Sequence, residues 1–246
     1  MTPLVRAEAL TKDFPSGNRA VRAVDAVSLE IGPGQVLGVV GESGSGKSTL
    51  GRLLLRLLEP SAGTTRFDGQ DLAALRPGAL RRFRRNMQMV FQDPFASLNA
   101  RMTIGDALAE HLRLHRGLRG RALDEAAGTL LEQVGLTREH LHRYPRAFSG
   151  GQRQRVAIAR ALASEPRFIV ADEPVSALDV SIQAEVVNLL QDLQRSLGLA
   201  LLFISHDLSI IEVVADRVMV LYLGRVMETA DTEALFAQPA HPYTAA

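Results

Sequence analysis

Cysteine and tryptophan are absent from the 246 residues. Without cysteine the chain holds no disulfide, thiol nucleophile or Cys-ligated zinc or iron–sulfur centre of its own. An excess of one charge is missing too, since 28 basic against 27 acidic residues leave a net +1. That balance gives no support to a nucleic-acid binder or a polyanionic tail. Stretches such as Leu199 to Ile204 fall far short of the roughly 20 apolar residues a membrane span needs. The opening MTPLVRAEALTKDF lacks the apolar core of a secretory signal. Lysine is nearly absent, with Lys12 and Lys47 alone. What remains is 46% hydrophobic and 22% charged, the range of ordinary globular proteins, and long enough for a sizeable core. The expectation is a cytoplasmic, one-piece globular protein.

Short β-rich runs alternate with longer helical patterns, the rhythm of a parallel sheet with helices on both faces. Gln35 to Val40, Met87 to Phe91, Phe168 to Ala171 and Ala200 to Ile204 read as short buried strands. Leu4 to Thr11 and Val21 to Ile31 alternate like antiparallel strands, joined by a Pro-Ser-Gly-Asn turn. A helix is predicted over Lys47 to Leu58. From Pro94 to Phe148 no strand is evident, and helical patterns at Thr103 to His115 and Arg121 to Val134 mark a helical insert between two pieces of the α/β core. The tail reads as a hairpin over Arg217 to Arg225 and a short helix over Thr232 to Phe236.

Gly41-Glu42-Ser43-Gly44-Ser45-Gly46-Lys47-Ser48 fits G-x-x-x-x-G-K-[ST], with a predicted strand before it and a predicted helix after it. Glycines let consecutive N–H groups turn inward around phosphate oxygens, and the helix start adds its positive dipole end. In such a loop Lys47 reaches the β- and γ-phosphates and the Ser48 hydroxyl meets Mg²⁺. A chance match in a chain of this length is about one in a hundred. The prediction is a nucleoside-triphosphate site. Farther on, Phe168 to Ala171 runs into Asp172-Glu173 at a strand end, where ligands of open sheets sit. Asp172 suits a Mg²⁺ role, and Glu173 can orient or deprotonate an attacking water. Alone, such a pair reads as readily as a solvated loop start.

Phe148-Ser149-Gly150-Gly151-Gln152 precedes a strongly helix-forming run, with Ser149 as a good N-cap. Standing alone it reads first as a capped helix after a turn, and second as another anion site. Together, GESGSGKST, VFQDP, FSGGQRQR, IVADE, SALD and ISHD resemble the ATP-binding subunit of an ABC transporter across nearly the whole chain. FASLNARMTIG, SALDVSIQAEVVNLL, FISHDLS and the terminal HPYT are similar to the ATPases of oligopeptide and dipeptide importers.

The resemblance implies a P-loop NTPase (RecA-like) core with an N-terminal antiparallel β-subdomain and an inserted α-helical subdomain. The division would give a core of 1–92 and 151–246, and a helical part of 93–150 carrying the signature. It also implies roles. Phe14 would stack on adenine, in a position where many members have Tyr. Gly41, Ser43, Gly44, Ser45, Gly46, Lys47, Ser48 and Thr49 would hold the phosphates of ATP. Gln92 would sense Mg²⁺ and the attacking water, joining Ser48 and Asp172 at the metal. Glu173, His206, Gln92 and Lys47 would be catalytic, with His206 the switch on the γ-phosphate. A strand-end loop residue bonded to its neighbours is the lesser reading of His206 at this position relative to Asp172. Ser149, Gly150, Gly151 and Gln152 would contact the γ-phosphate held by a second ATPase subunit, across a seam crossed by Ser176 to Asp179. Phe148 stands where Leu is commoner.

Implied partners are transmembrane permease subunits, a second ATPase subunit (the same chain or a paralogue) and, indirectly, a solute-binding protein, at the cytoplasmic face of the membrane. Peptide, nickel and glutathione importers share these motifs. Two other functions compete. DNA-repair and translation-factor ABC ATPases carry long coiled-coil or zinc insertions or tandem units, none of which is evident here. A poorly hydrolysing ATP-binding scaffold would not need Glu173 and His206. Many peptide-importer ATPases continue beyond HPYT into a tail, in several with a cysteine-held iron–sulfur cluster, which this sequence lacks. A trimmed chain, one half of a fused polypeptide and a naturally short member all fit. Arg76, Arg81, Arg82, Arg84 and Arg85 read as a solvated, partly ion-paired face rather than a nucleic-acid patch. His111, His115, His140, His142 and His241 lack metal-ligand spacing.

Overall fold

The computed structural model describes residues 2–17, 19–93 and 98–245. An antiparallel sheet in the order β2-β1-β4-β5 is built from β1 (Val5–Ser16), β2 (Arg19–Ile31), β4 (Ala62–Phe67) and β5 (Gln70–Asp71). The larger sheet, in the order β10-β9-β3-β8-β7-β6, holds β3 (Val36–Val40), β6 (Met87–Val90), β7 (Phe168–Asp172), β8 (Ala200–Ile204), β9 (Arg217–Tyr222) and β10 (Arg225–Asp231). Its strands run parallel except the edge strand β10.

Alternation along these strands divides the core into two layers. Leu37, Val39, Val170, Leu202 and Ile204 pack toward the antiparallel sheet and α1 (Lys47–Leu54), meeting Leu50, Leu53 and Leu54. Val36, Val40, Ile169, Ala171, Leu201 and Phe203 face the other way, toward the helices. Those helices include α3 (Ile104–Arg116), α4 (Gly120–Gln133), α5 (Gly150–Leu162) and α6 (Val180–Leu197). Central strands covered on both sides read as unbroken apolar runs, which is why they are legible in the sequence.

Several boundaries differ from the expected ones. The β1–β2 connection is shorter: Pro15 pairs with Ala20 and Ser16 with Arg19, and Gly17 at φ 58° supplies the left-handed residue of a tight hairpin. Asn18 of the expected turn lies outside the described residues. Helix α1 stops at Leu54, not Leu58, because Arg56 turns left-handed at φ 49° and sends its guanidinium to Leu75 O at 3.1 Å. Strands β4 and β5 escaped sequence reading, although Asp68-Gly69, both at positive φ, are the turn pair of a type I′ hairpin. Within the arginine run, Pro77–Phe83 forms a short helix, α2. The expected ion pairing is not found there. Among the described residues none of its five arginines meets a carboxylate, and Arg84 instead donates to Arg56 O at 2.5 Å.

Between Leu98 and Phe148 the described residues contain no strand, and the start of the expected insert at Pro94 lies outside them. Thr103 caps α3 through a reciprocal bond with Asp106, and Gly117 ends it at φ 68°. After α7 (Leu208–Val214) the tail is the expected hairpin and short helix, but the hairpin is longer than read. Its second strand β10 runs on from Arg225 to Asp231 before α8 (Thr232–Ala237) and α9 (Pro242–Ala245). Among the described residues no helix is long and apolar enough to cross a membrane.

Candidate functional site

The carboxyl ends of β3, β6, β7 and β8 converge on one cleft of about 500 Å³. Strand β3 delivers Gly41, whose φ of 147° and whose position against Leu221 O, 2.0 Å from where a Cβ would stand, admit no side chain. Gly46 caps α1 at φ 101° without any side-chain acceptor, so the helix start keeps its N–H groups for something outside it. Ser43, Gly44, Gly46, Lys47, Ser48 and Thr49 form one wall of the cleft. Gln92, Glu173 and His206 face them, and Ala23 reaches in from β2.

Lys47 is buried, and its ammonium donates to Gly41 O at 2.6 Å and Glu42 O at 2.7 Å. Burial pulls its pKa below the ordinary lysine value, against the opposing pull of Glu173 and Asp172. The Ser48 hydroxyl donates to Asp172 Oδ1 at 2.7 Å. Burial raises the Asp172 carboxyl, with Glu173 adding to it, while Ser48, Arg52 and Lys47 pull the other way. Glu173 follows in a left-handed backbone (φ 46°) that its N–H secures by donating to Ile204 O at 3.0 Å. Such strain on a non-glycine residue is uncommon and collects at functional sites. Glu173 Oε2 accepts from Gln92 Nε2 at 2.9 Å and lies 3.4 Å from His206 Nδ1. One carboxylate oxygen is thus held from two sides, by residues from two different strand ends.

The donor set suits a triphosphate with a hard cation. Ser48, Asp172 and Gln92 supply oxygens of the kind Mg²⁺ takes. Among the described residues no group of three or more His, Cys, Asp or Glu is placed to hold a metal, so a cation here needs further oxygens such as phosphates bring. The Ser45 hydroxyl is buried without a partner inside the loop, a polar atom left for a ligand or water.

Other expected site residues stand apart. Phe14 lies on β1 opposite Val21, under the Lys12 ammonium at 5.3 Å, and is not part of the cleft wall. Ser149 to Gln152 and Asp179 are not in that wall either. Ser149 caps α5 by accepting from Gln152 N at 3.2 Å, while Gln152 Oε1 accepts from Ser149 N at 3.0 Å. The glycines of this start serve packing: a Cβ on Gly151 would lie 2.4 Å from Ile182 Cγ2, and one on Gly150 3.2 Å from Leu178. Asp179, at the start of α6, is exposed and makes no capping bond.

Sequence reading missed a buttress behind the loop. Gly224 N donates to Ser45 O at 3.0 Å, Asp25 N to Gly224 O at 2.8 Å, and Arg225 Nε pairs with Asp25 at 2.6 Å. Gly224 between two strands is readable as a turn, but its docking partner lies too far away in sequence to be read.

Residues 24–176 match the model of the ABC transporter family. A Brucella ovis protein named as a peptide import ATP-binding protein is 57% identical over all of this chain, which spans 77% of that protein. The glutathione import ATP-binding protein GsiA of Escherichia coli K12 is 52% identical over 98% of this chain, corresponding to 40% of its own length. Among solved structures, the ATP-binding cassette MJ0796, dimeric in a post-hydrolysis state with ADP and Pi, superposes with a TM-score of 0.84 at 30% identity. That match covers 93% of this chain and 98% of the other.

Proposed function

Since this chain belongs to the ABC transporter family, we propose that its cleft binds Mg-ATP and that it hydrolyses ATP to energise an importer, with peptides as the cargo. Its fold is the P-loop NTPase fold of the ABC ATPase cassettes, a family that binds ATP. The observation that carries the reading is Glu173 Oε2, pinned by Gln92 and His206 across the cleft from the phosphate loop.

In this reading Lys47 and the open N–H groups of α1 carry the charge of the β- and γ-phosphates. Mg²⁺, held by Ser48, Asp172 and Gln92, supplies charge neutralisation at the phosphates when bound. With Oε2 of Glu173 held, its Oε1 is the oxygen left to take a proton from water. Gln92 and His206 fix the direction in which that oxygen points. Phe14 remains the candidate platform for adenine, and Ser149, Gly150, Gly151, Gln152 and Asp179 the candidates for contact with the nucleotide of a second ATPase subunit. The absence of Ser149 to Gln152 and Asp179 from this chain's own cleft wall supports the second of these assignments. Permease subunits would dock on the segment from Gln92 to Asn99 and the helices that follow, at the cytoplasmic face of a membrane; residues 94–97 of that segment lie outside the described ones. Residues 1–92 and 151–246 then act as the core and 93–150 as the docking part.

The test is Glu173→Gln. It is expected to bind ATP as the parent does and to turn over about 10²–10⁴-fold more slowly, the usual size of a general-base contribution. Steady-state ATPase and equilibrium binding measure the two, and unchanged turnover sinks the assignment. Glutathione as cargo is the second reading, favoured by the 52% identity to GsiA. Identifying the permease that copurifies from native membranes separates the two.

A further inference from the structure

The segment after α8 carries the HPYT motif, which the nucleotide site leaves unused. It is tied down at several points. Glu228 of β10 accepts from Ala240 N at 2.8 Å and from His241 N at 3.0 Å. His241 Nδ1 in turn accepts from Tyr243 N at 3.1 Å. The Tyr243 ring packs against Tyr222 of β9, with centroids 4.5 Å apart and the planes tilted by 40°. So held, the Tyr243 hydroxyl donates to Glu42 Oε1 at 3.4 Å. Burial, and then the Glu42 carboxylate, raise the Tyr243 phenol above its ordinary pKa, so it stays a donor at neutral pH.

Glu42 is the one acidic residue of the phosphate loop, Gly41 to Ser48. Its backbone oxygen belongs to the Lys47 cradle. Glu42 is not among the residues that wall the nucleotide cleft; it lines a neighbouring cavity of about 630 Å³, which Tyr243 also lines. An acid swinging free at this point would stand beside bound phosphates and repel them, more strongly the more charge they carry.

We propose that Tyr243 is a positioning residue that parks the Glu42 carboxylate in the neighbouring cavity, away from the phosphates, and thereby favours the triphosphate over the diphosphate. This rests on the ATP reading of the cleft. The anchors at Glu228 and Tyr222 make the contact a built one, because they order Tyr243 before any nucleotide arrives.

The experiment is a double-mutant cycle of Tyr243→Phe and Glu42→Gln, read by calorimetry with AMP-PNP and with ADP in the presence of Mg²⁺. Tyr243→Phe keeps the ring on Tyr222 and removes only the hydroxyl. It is expected to weaken AMP-PNP about three- to tenfold, the size of one like charge brought near at surface dielectric, and ADP distinctly less. Glu42→Gln should bind AMP-PNP at least as tightly as the parent, and on that background Tyr243→Phe should change nothing. Three results overturn the proposal: unchanged AMP-PNP affinity in Tyr243→Phe, equal loss for both nucleotides, or the same loss on the Glu42→Gln background. A parent chain that binds no AMP-PNP overturns the ATP reading and this inference with it. A parent that binds while the cycle stays flat overturns this inference alone.

Discussion

Two helices begin with glycine and serine at motifs that the resemblance reads as anion sites, and they begin in opposite ways. Helix α1 starts at Gly46 with no side-chain cap, while α5 starts at Ser149 with both halves of a capping box in place. The first leaves its N–H groups for a ligand, and the second satisfies its own. The glycines differ as well. Those of the phosphate loop let backbone pass close to backbone, as where Gly41 meets Leu221 O, while Gly151 lets one helix approach another. A glycine-rich helix start can therefore be a ligand site within its own chain, or a preformed edge whose ligand comes from elsewhere.

Breaking the open start should cost most. Lys47→Ala is expected to weaken ATP binding roughly 30- to 150-fold, the scale of lost charge-assisted hydrogen bonds, with little change in Ser149→Arg. Mixing these two variants should restore turnover if each cleft is completed by the other chain. A mixture as inactive as both parents removes the shared-site half of the comparison. Next in size is Gly151→Ala. Its methyl group would fall on Ile182 Cγ2, so about 1–3 kcal/mol of unfolding free energy should be lost in urea titration. Full stability there would deny the glycine its packing role. Smallest is Ser149→Ala, which removes one N-cap and should cost about 1 kcal/mol, leaving ATP affinity of the single chain unchanged. Weaker ATP binding in that variant would mean that α5 serves its own chain's cleft after all.

Features with local signatures were legible before the structure. The run Ala200 to Ile204 is a strand with the bounds it was read with, because an unbroken apolar stretch is what a two-sided central strand requires. Ser149 announced its cap, and the phosphate loop its strand and helix. The hairpin at Asp68-Gly69 carries such a signature too, in its aspartate-glycine turn pair. Other features leave no local trace. Nothing in Asp172-Glu173 signals a left-handed glutamate, because that backbone is imposed by the Ile204 carbonyl on the next strand. Arg225 and Asp25 lie 200 residues apart, and periodicity reports faces, not distant pairs. Phe14 shows the limit of residue-by-residue transfer: it lies on β1, beyond the expected strand end at Thr11, and does not line the cleft.

The buttress behind the loop has a consequence for the order in which the molecule is made. Strand β3, which launches the phosphate loop, pairs only with β8 and β9, and Val36 N–H awaits the carboxylate of Asp216, 180 residues later. At translation rates of about 5–20 residues per second, that interval lasts roughly 10 to 40 s. From Ser48 until β8 follows, a nascent chain carries a complete G-x-x-x-x-G-K-S sequence on a strand with two open edges. The loop acquires its rigid backing only when Gly224 leaves the ribosome and reaches Ser45. A chain released before Gly224 holds the motif without that backing.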